Sequence, residues 1–149
     1  SDGKLIIYSE PYIESQTTPK TLTPEDIDGD FLFRNKSSQI YGSCKISHKD
    51  IQYEFKDPNT YGPILKEFGI ALGSLGEAQR FSKGLLRSKN KLEQTISGVI
   101  RLDAGIAAGI TLKLINFGLA DGNYFTNQVI RKFVEKRTVL KLRKPLEGY

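Results

Sequence analysis

The sequence predicts a mainly β fold of the α+β kind with one principal helix, and three features carry the prediction. At least six segments alternate apolar and polar residues at period two. Only one stretch, residues 75 to 91, holds a helical period. Clusters of Gly, Pro, Asn and Asp punctuate the alternating segments. Together they describe antiparallel, β-barrel-like sheet, with the helix packed on the barrel or capping it.

The bulk numbers agree with a folded body. The 149 residues are 38% hydrophobic and 26% charged, and a globule of this length buries roughly 70% of the surface its extended chain exposes. That burial offsets the entropy of ordering the chain, unlike in a charge-rich tail. Apolar runs such as residues 105–110 fall far short of the ~20 residues that cross a bilayer, and no basic segment followed by an apolar one opens the chain. No membrane insertion is expected. The chain opens with Ser1-Asp2-Gly3 and contains no Met, so the expectation is a start inside a longer polypeptide or a lost first residue.

Taken in order, residues 4–8 (Lys-Leu-Ile-Ile-Tyr) form a β-branched and aromatic run suited to a first strand. Residues 14–30 are rich in Thr, Pro and Asp and read as a long loop. Within it Thr23-Pro24-Glu25 can start one helical turn, with Thr as cap and Pro at the first helical position. Strand character returns at Phe31-Leu32-Phe33, over residues 38–47 and over residues 51–55, with His48-Lys49-Asp50 as a hairpin turn.

The turn clusters Asp57-Pro58-Asn59 and Tyr61-Gly62-Pro63 then mark a division. Residues 1–60 are expected to form a strand-rich segment of a first barrel or sheet, and residues 61–149 a helix plus a four-stranded antiparallel barrel segment. Ser74-Leu75-Gly76-Glu77 has the form of a capping box, after which Ala78, Phe81, Leu85 and Leu92 follow at helical spacing. Gly84 weakens this helix, which therefore depends on packing of the apolar stripe. Four further strands are predicted over residues 95–100, 110–115, 124–133 and 138–142, arranged as a meander. Asp121-Gly122-Asn123 supplies a turn in which Gly122 can take a positive φ.

The chemical inventory is thin. Cys44 is the single cysteine and cannot form an internal disulfide; it shares a strand face with Ile40, Gly42 and Ile46, which suits a buried small side chain. His48, the only histidine, is four residues on, which along a strand separates the two by ~13 Å and disfavours a nucleophile pair or shared metal. Asp26, Asp28 and Asp30 begin like a calcium loop, but Ser37 stands where a bidentate Glu is required. Gly69, Gly73 and Gly76 lack the Lys and strand context of a phosphate loop. No catalytic, cofactor-binding or metal residue is assigned, and neither an enzyme nor a small-molecule substrate is expected.

The net charge is +5, concentrated in Arg131-Lys132, Lys136-Arg137 and Lys141-Leu142-Arg143-Lys144, where alternation with apolar residues reads as a solvated sheet face. An alternative is a nucleic-acid-binding β-barrel with Tyr124, Phe125 and Phe133 as stacking platforms beside those cations.

One family resemblance covers about half of the chain, residues 76–142. Glu77-Ala78-Gln79-Arg80-Phe81 with Leu85-Leu86 precedes Ser97-Gly98-Val99-Ile100-Arg101-Leu102 and the small-residue connection from Asp103 to Gly109. Ile110-Thr111-Leu112, Asp121-Gly122-Asn123-Tyr124-Phe125, Val129-Ile130-Arg131-Lys132-Phe133 and Thr138-Val139-Leu140-Lys141-Leu142 follow. This order resembles the C-terminal barrel of the phage late control protein D family, the baseplate hub of contractile tails, related to type VI secretion spike proteins. The short turn Glu135-Lys136-Arg137 departs from the glycine-containing hairpin of many relatives, and residues 14–30 have no place in the pattern. The resemblance implies a structural hub subunit, a homotrimer joining tail tube and central spike, resident in the virion tail and assembled in the bacterial cytoplasm. Its partners would be copies of itself and the spike and tube proteins.

Overall fold

The structure, a computed structural model, describes residues 9–16 and 20–146; the strand expected at residues 4–8 lies outside them. A short helix α1 (Glu10–Glu14) is followed by strands β1 (Lys20–Leu22), β2 (Ile27–Asn35), β3 (Ser43–His48), β4 (Ile51–Lys56) and β5 (Ile64–Phe68). The main helix α2 (Leu75–Asn90) comes next, then β6 (Gln94–Arg101), β7 (Thr111–Leu114), β8 (Gly122–Lys132) and β9 (Arg137–Arg143). The fold is mainly β with one main helix, and the larger sheet curls into a half-barrel. Among the described residues no helix is long and apolar enough to cross a membrane.

The segment expected to be a loop is more ordered than its composition suggests. Thr23 and Asp26 close a capping box over the 3-10 turn Pro24–Asp26, with the Thr23 N–H donating to Asp26 Oδ2 at 2.8 Å. β1 and β2 flank this turn, and backbone pairing, which side-chain polarity does not report, makes them strands.

The compact units do not follow a cut after residue 60. One comprises the described residues up to Arg34 with Thr95–Pro145, and the other Asn35–Gln94 with Leu146. Strand pairing decides this, because β2 joins the sheet of β6 whereas β3, β4 and β5 pair among themselves.

In the first unit the strand order is β1-β7-β8-β9-β6-β2. The expected meander holds for β7, β8 and β9, which are antiparallel neighbours. β6, however, pairs with β9 instead of β7, and β1 runs parallel to β7. The connection over residues 102–110 must therefore carry the chain past β9 and β8, and Ile106 within it is fully buried in one core cluster with Leu112, Tyr124, Leu140 and Ile100. Gly122 sits at φ 132°, which favours glycine at the start of β8.

A bulge at Asn127 interrupts the pairing of β8 with β9, between Thr126↔Leu142 and Gln128↔Lys141. Alternation changes phase there, so Tyr124, Thr126, Val129 and Arg131 share the inner face. Arg131 thereby reaches the connection, donating to the carbonyl oxygens of Ile106 at 2.6 Å and Ala104 at 3.3 Å. Asp103, ion-paired with Lys20, and Thr138 Oγ1, which accepts from the Asp103 N–H at 3.1 Å, hold its other side.

In the second unit the order is β4-β3-β5, with α2 packed on β3 and β4. β3 and β4 form the expected hairpin, pairing His48 with Ile51 across Lys49, at φ 50°, and Asp50. β5, where the sequence pattern places no strand, pairs parallel with β3.

Ser74 caps α2 by accepting the Glu77 N–H at 3.2 Å, but Glu77 reaches one residue further back, accepting from Gly73 N–H at 2.7 Å. The buried stripe is Ala78, Ser82, Leu86 and Asn90. Phe81 and Leu92, expected on that stripe, are 46% and 48% exposed, and Leu85 is half-buried. Asn90 clasps the backbone of Tyr41, accepting from its N–H at 3.0 Å and donating to its carbonyl at 2.8 Å.

Candidate assembly surfaces

The residues with chemical potential are separated or sequestered. Cys44 is fully buried in β3 between Phe55 of β4 and Leu65 of β5. Burial, and secondarily the charge of Glu67, pushes its thiol up to about 11, so it is neutral and weakly nucleophilic near neutral pH. His48 closes the same strand, half-buried, at the hairpin turn. Asp26 is spent on its cap, Asp28 pairs with Arg137 at 2.9 Å, and Asp30 is exposed on β2. Among the described residues no group of three or more His, Cys, Asp or Glu could hold a metal ion.

The three aromatics of the nucleic-acid alternative do not share a surface. Tyr124 is completely buried in the core, with its hydroxyl pushed up by burial and then by Asp121. Phe125, its neighbour, lies on the opposite sheet face under Arg143, whose Cζ is 4.6 Å from the ring centroid. Phe133 is 70% exposed at the hairpin tip. A stacking platform needs adjacent accessible rings.

The cationic face is also not simply solvated. Arg143 is 1% exposed; it pairs with Glu14, lies 3.8 Å from Glu10, and donates from Nε to Asn127 Oδ1 at 3.1 Å. These contacts fasten α1 to the outer face of the sheet. Arg131 is committed to the connection, Arg137 to Asp28, and Lys132 to Glu135 at 3.2 Å. Arg101, Lys113, Lys136 and Lys141 are exposed and have no ion-pair partner among the described residues. The hydropathy pattern does not mark Arg143; the pair Glu10 and Glu14, one helical turn apart, is the signal that could have found its site.

What the fold leaves open is apolar surface and strand edge. At the β8–β9 turn Phe133 and Val134 are 70% and 99% exposed, and Ile130 of β8 and Leu102 after β6 are 43% and 37% exposed. The tip is held in shape by Lys136 N–H donating to Phe133 O at 3.2 Å and Leu102 N–H donating to Lys136 O at 2.8 Å. In the second unit β5 is an edge strand carrying exposed Ile64 and Phe68. Exposed edges and apolar tips favour pairing with other chains.

Comparison with solved structures places this architecture. The 43 kDa tail protein of prophage MuSo2 from Shewanella oneidensis matches with a TM-score of 0.71 and 10% identity over 87% of this chain. A tail protein from Neisseria meningitidis MC58 matches at 0.66 and 15% identity, also over 87%. The fold is one that these two tail proteins share. A chain of the native gene transfer agent virion matches at 0.61 and 15% identity over 89% of this chain. The chain spans 43%, 45% and 33% of those three chains, less than half of each. No family model and no curated protein matches the sequence.

Proposed function

We propose that this chain is a structural part of a phage or phage-like contractile tail, in the baseplate hub that joins the tail tube to the central spike. The observation that carries the reading is the fold shared with the prophage MuSo2 tail protein, the Neisseria tail protein and the gene transfer agent virion chain over 87–89% of this chain. The order of parts over residues 76–142 adds the hub assignment by resemblance. The role is one of shape and interfaces, not catalysis, and three copies form a ring with the spike and tube proteins as neighbours. Assembly takes place in the bacterial cytoplasm and the product resides in the virion tail.

The nucleic-acid reading is the weaker one, because burial of Tyr124 and capping of Phe125 remove two of its three platforms. Light scattering on the full-length protein tests the ring: a mass of three subunits is expected. A monomer at high concentration, in the presence of its tail neighbours, contradicts it.

A further inference from the structure

We infer that copies of this chain join head to tail, the β8–β9 hairpin tip of one copy seating in an open groove at the end of the three-stranded sheet of the next. This contact rests on the ring proposed above and is the joint that would build it.

The tip is a knob. Phe133 and Val134 project at 70% and 99% exposure; of the four cations between Arg131 and Arg137, Arg131 is held by the carbonyls of the connection and Arg137 by Asp28. Glu135 is taken by Lys132, and Lys136 is left without an ion-pair partner among the described residues. Because backbone hydrogen bonds hold the turn, docking it orders little that is not already ordered.

The groove is an open depression. It has a volume of about 290 Å³, with Glu54, Lys56, Asp57, Tyr61 and Ile64 among its walls. A cavity of about 150 Å³ admits a benzene ring, so there is room for Phe133 with Val134. Glu54 and Asp57 outnumber Lys56, which lies 4.0 Å from Glu54, so the groove lining carries one net negative charge to meet Lys136 of the knob. Tyr61, 92% exposed, and Ile64, 46% exposed, supply apolar rim.

The floor is shaped by two glycines: a Cβ at Gly42 would lie 2.7 Å from Gly62 N, and one at Gly62 would lie 2.8 Å from Ile40 O. No other residue allows the backbones to approach there. Knob and groove are different surfaces, so the contact is heterologous, which generates a closed ring when the rotation closes.

The test is disulfide trapping on the full-length protein. Val134→Cys and Tyr61→Cys are made singly, mixed, and oxidised mildly; Cys44 is fully buried and does not compete. The expected result is a disulfide-linked dimer holding one copy of each variant, which neither variant forms alone, together with Val134→Glu raising the concentration at half-assembly on the order of thirtyfold. Val134 is 99% exposed, so an unchanged circular dichroism spectrum is expected of its variants. A disulfide homodimer of the Val134→Cys variant would show tip-to-tip pairing and overturn the inference. A trimer with no mixed product and no effect of Val134→Glu would overturn this contact while leaving the ring intact. A monomeric parent protein would remove both.

Discussion

Arg143 shows how one residue can settle the role of an element. Its guanidinium is 1% exposed, and the Glu14 side chain that meets it is 4% exposed. Removing one partner of a buried pair strands the other charge, which typically costs about 3–5 kcal/mol. Arg143→Leu is therefore expected to destabilise the fold by that order in denaturant unfolding, and Asn127→Ala by roughly 1 kcal/mol through loss of one hydrogen bond. Equal, small effects of both would show that α1 is not fastened by this cluster. Cys44 supports a second prediction. Its thiol rises from 9.0 to about 11 in the fold, so above pH 9 the unfolded chain loses the proton first. Stability owed to the buried neutral thiol is full below pH 9 and falls between pH 9 and 11, by roughly 2–3 kcal/mol at the end of that window. Comparing chemical denaturation of the parent with Cys44→Ala across that window checks the slope, which should be absent in the variant.

Among the elements, α2 separates what the sequence pattern reveals from what it hides. Its limits and its Ser74 cap are legible, because capping chemistry is local. Its buried face is not, because Ser82 and Asn90 occupy core positions, where Ser82 Oγ donates to Gln79 O at 3.0 Å and Asn90 clasps Tyr41. A hydropathy reading passes over such residues and rotates the stripe onto Phe81 and Leu92. Leu86→Asp is accordingly expected to cost several kcal/mol, and Phe81→Ser no more than about 1 kcal/mol, in thermal melts. The reverse ranking would restore the apolar stripe as the buried one. The same limit applies to β8, where the bulge at Asn127 shifts alternation by one residue and sends Arg131 inward. β1, β2 and β5 are hidden or displaced in the sequence pattern because backbone pairing, which leaves little trace in polar or edge segments, defines them.

For the molecule as a whole, the mainly β class and the order of parts are visible in the sequence, while the pairing of β6 with β9 and the composition of each unit from separated stretches of chain depend on long-range contacts. The candidate surfaces are similarly half visible. The basic segments stand out, but which cations are internally engaged, and that Phe133 and Val134 stand free between them, requires the fold. A place for this chain at the hub end of a contractile tail can be checked by eye. In immunogold electron microscopy of tailed particles, with antibodies raised against this chain, gold confined to the baseplate end is the expected result; gold distributed along the tail, or absent from the particles altogether, would refute that placement.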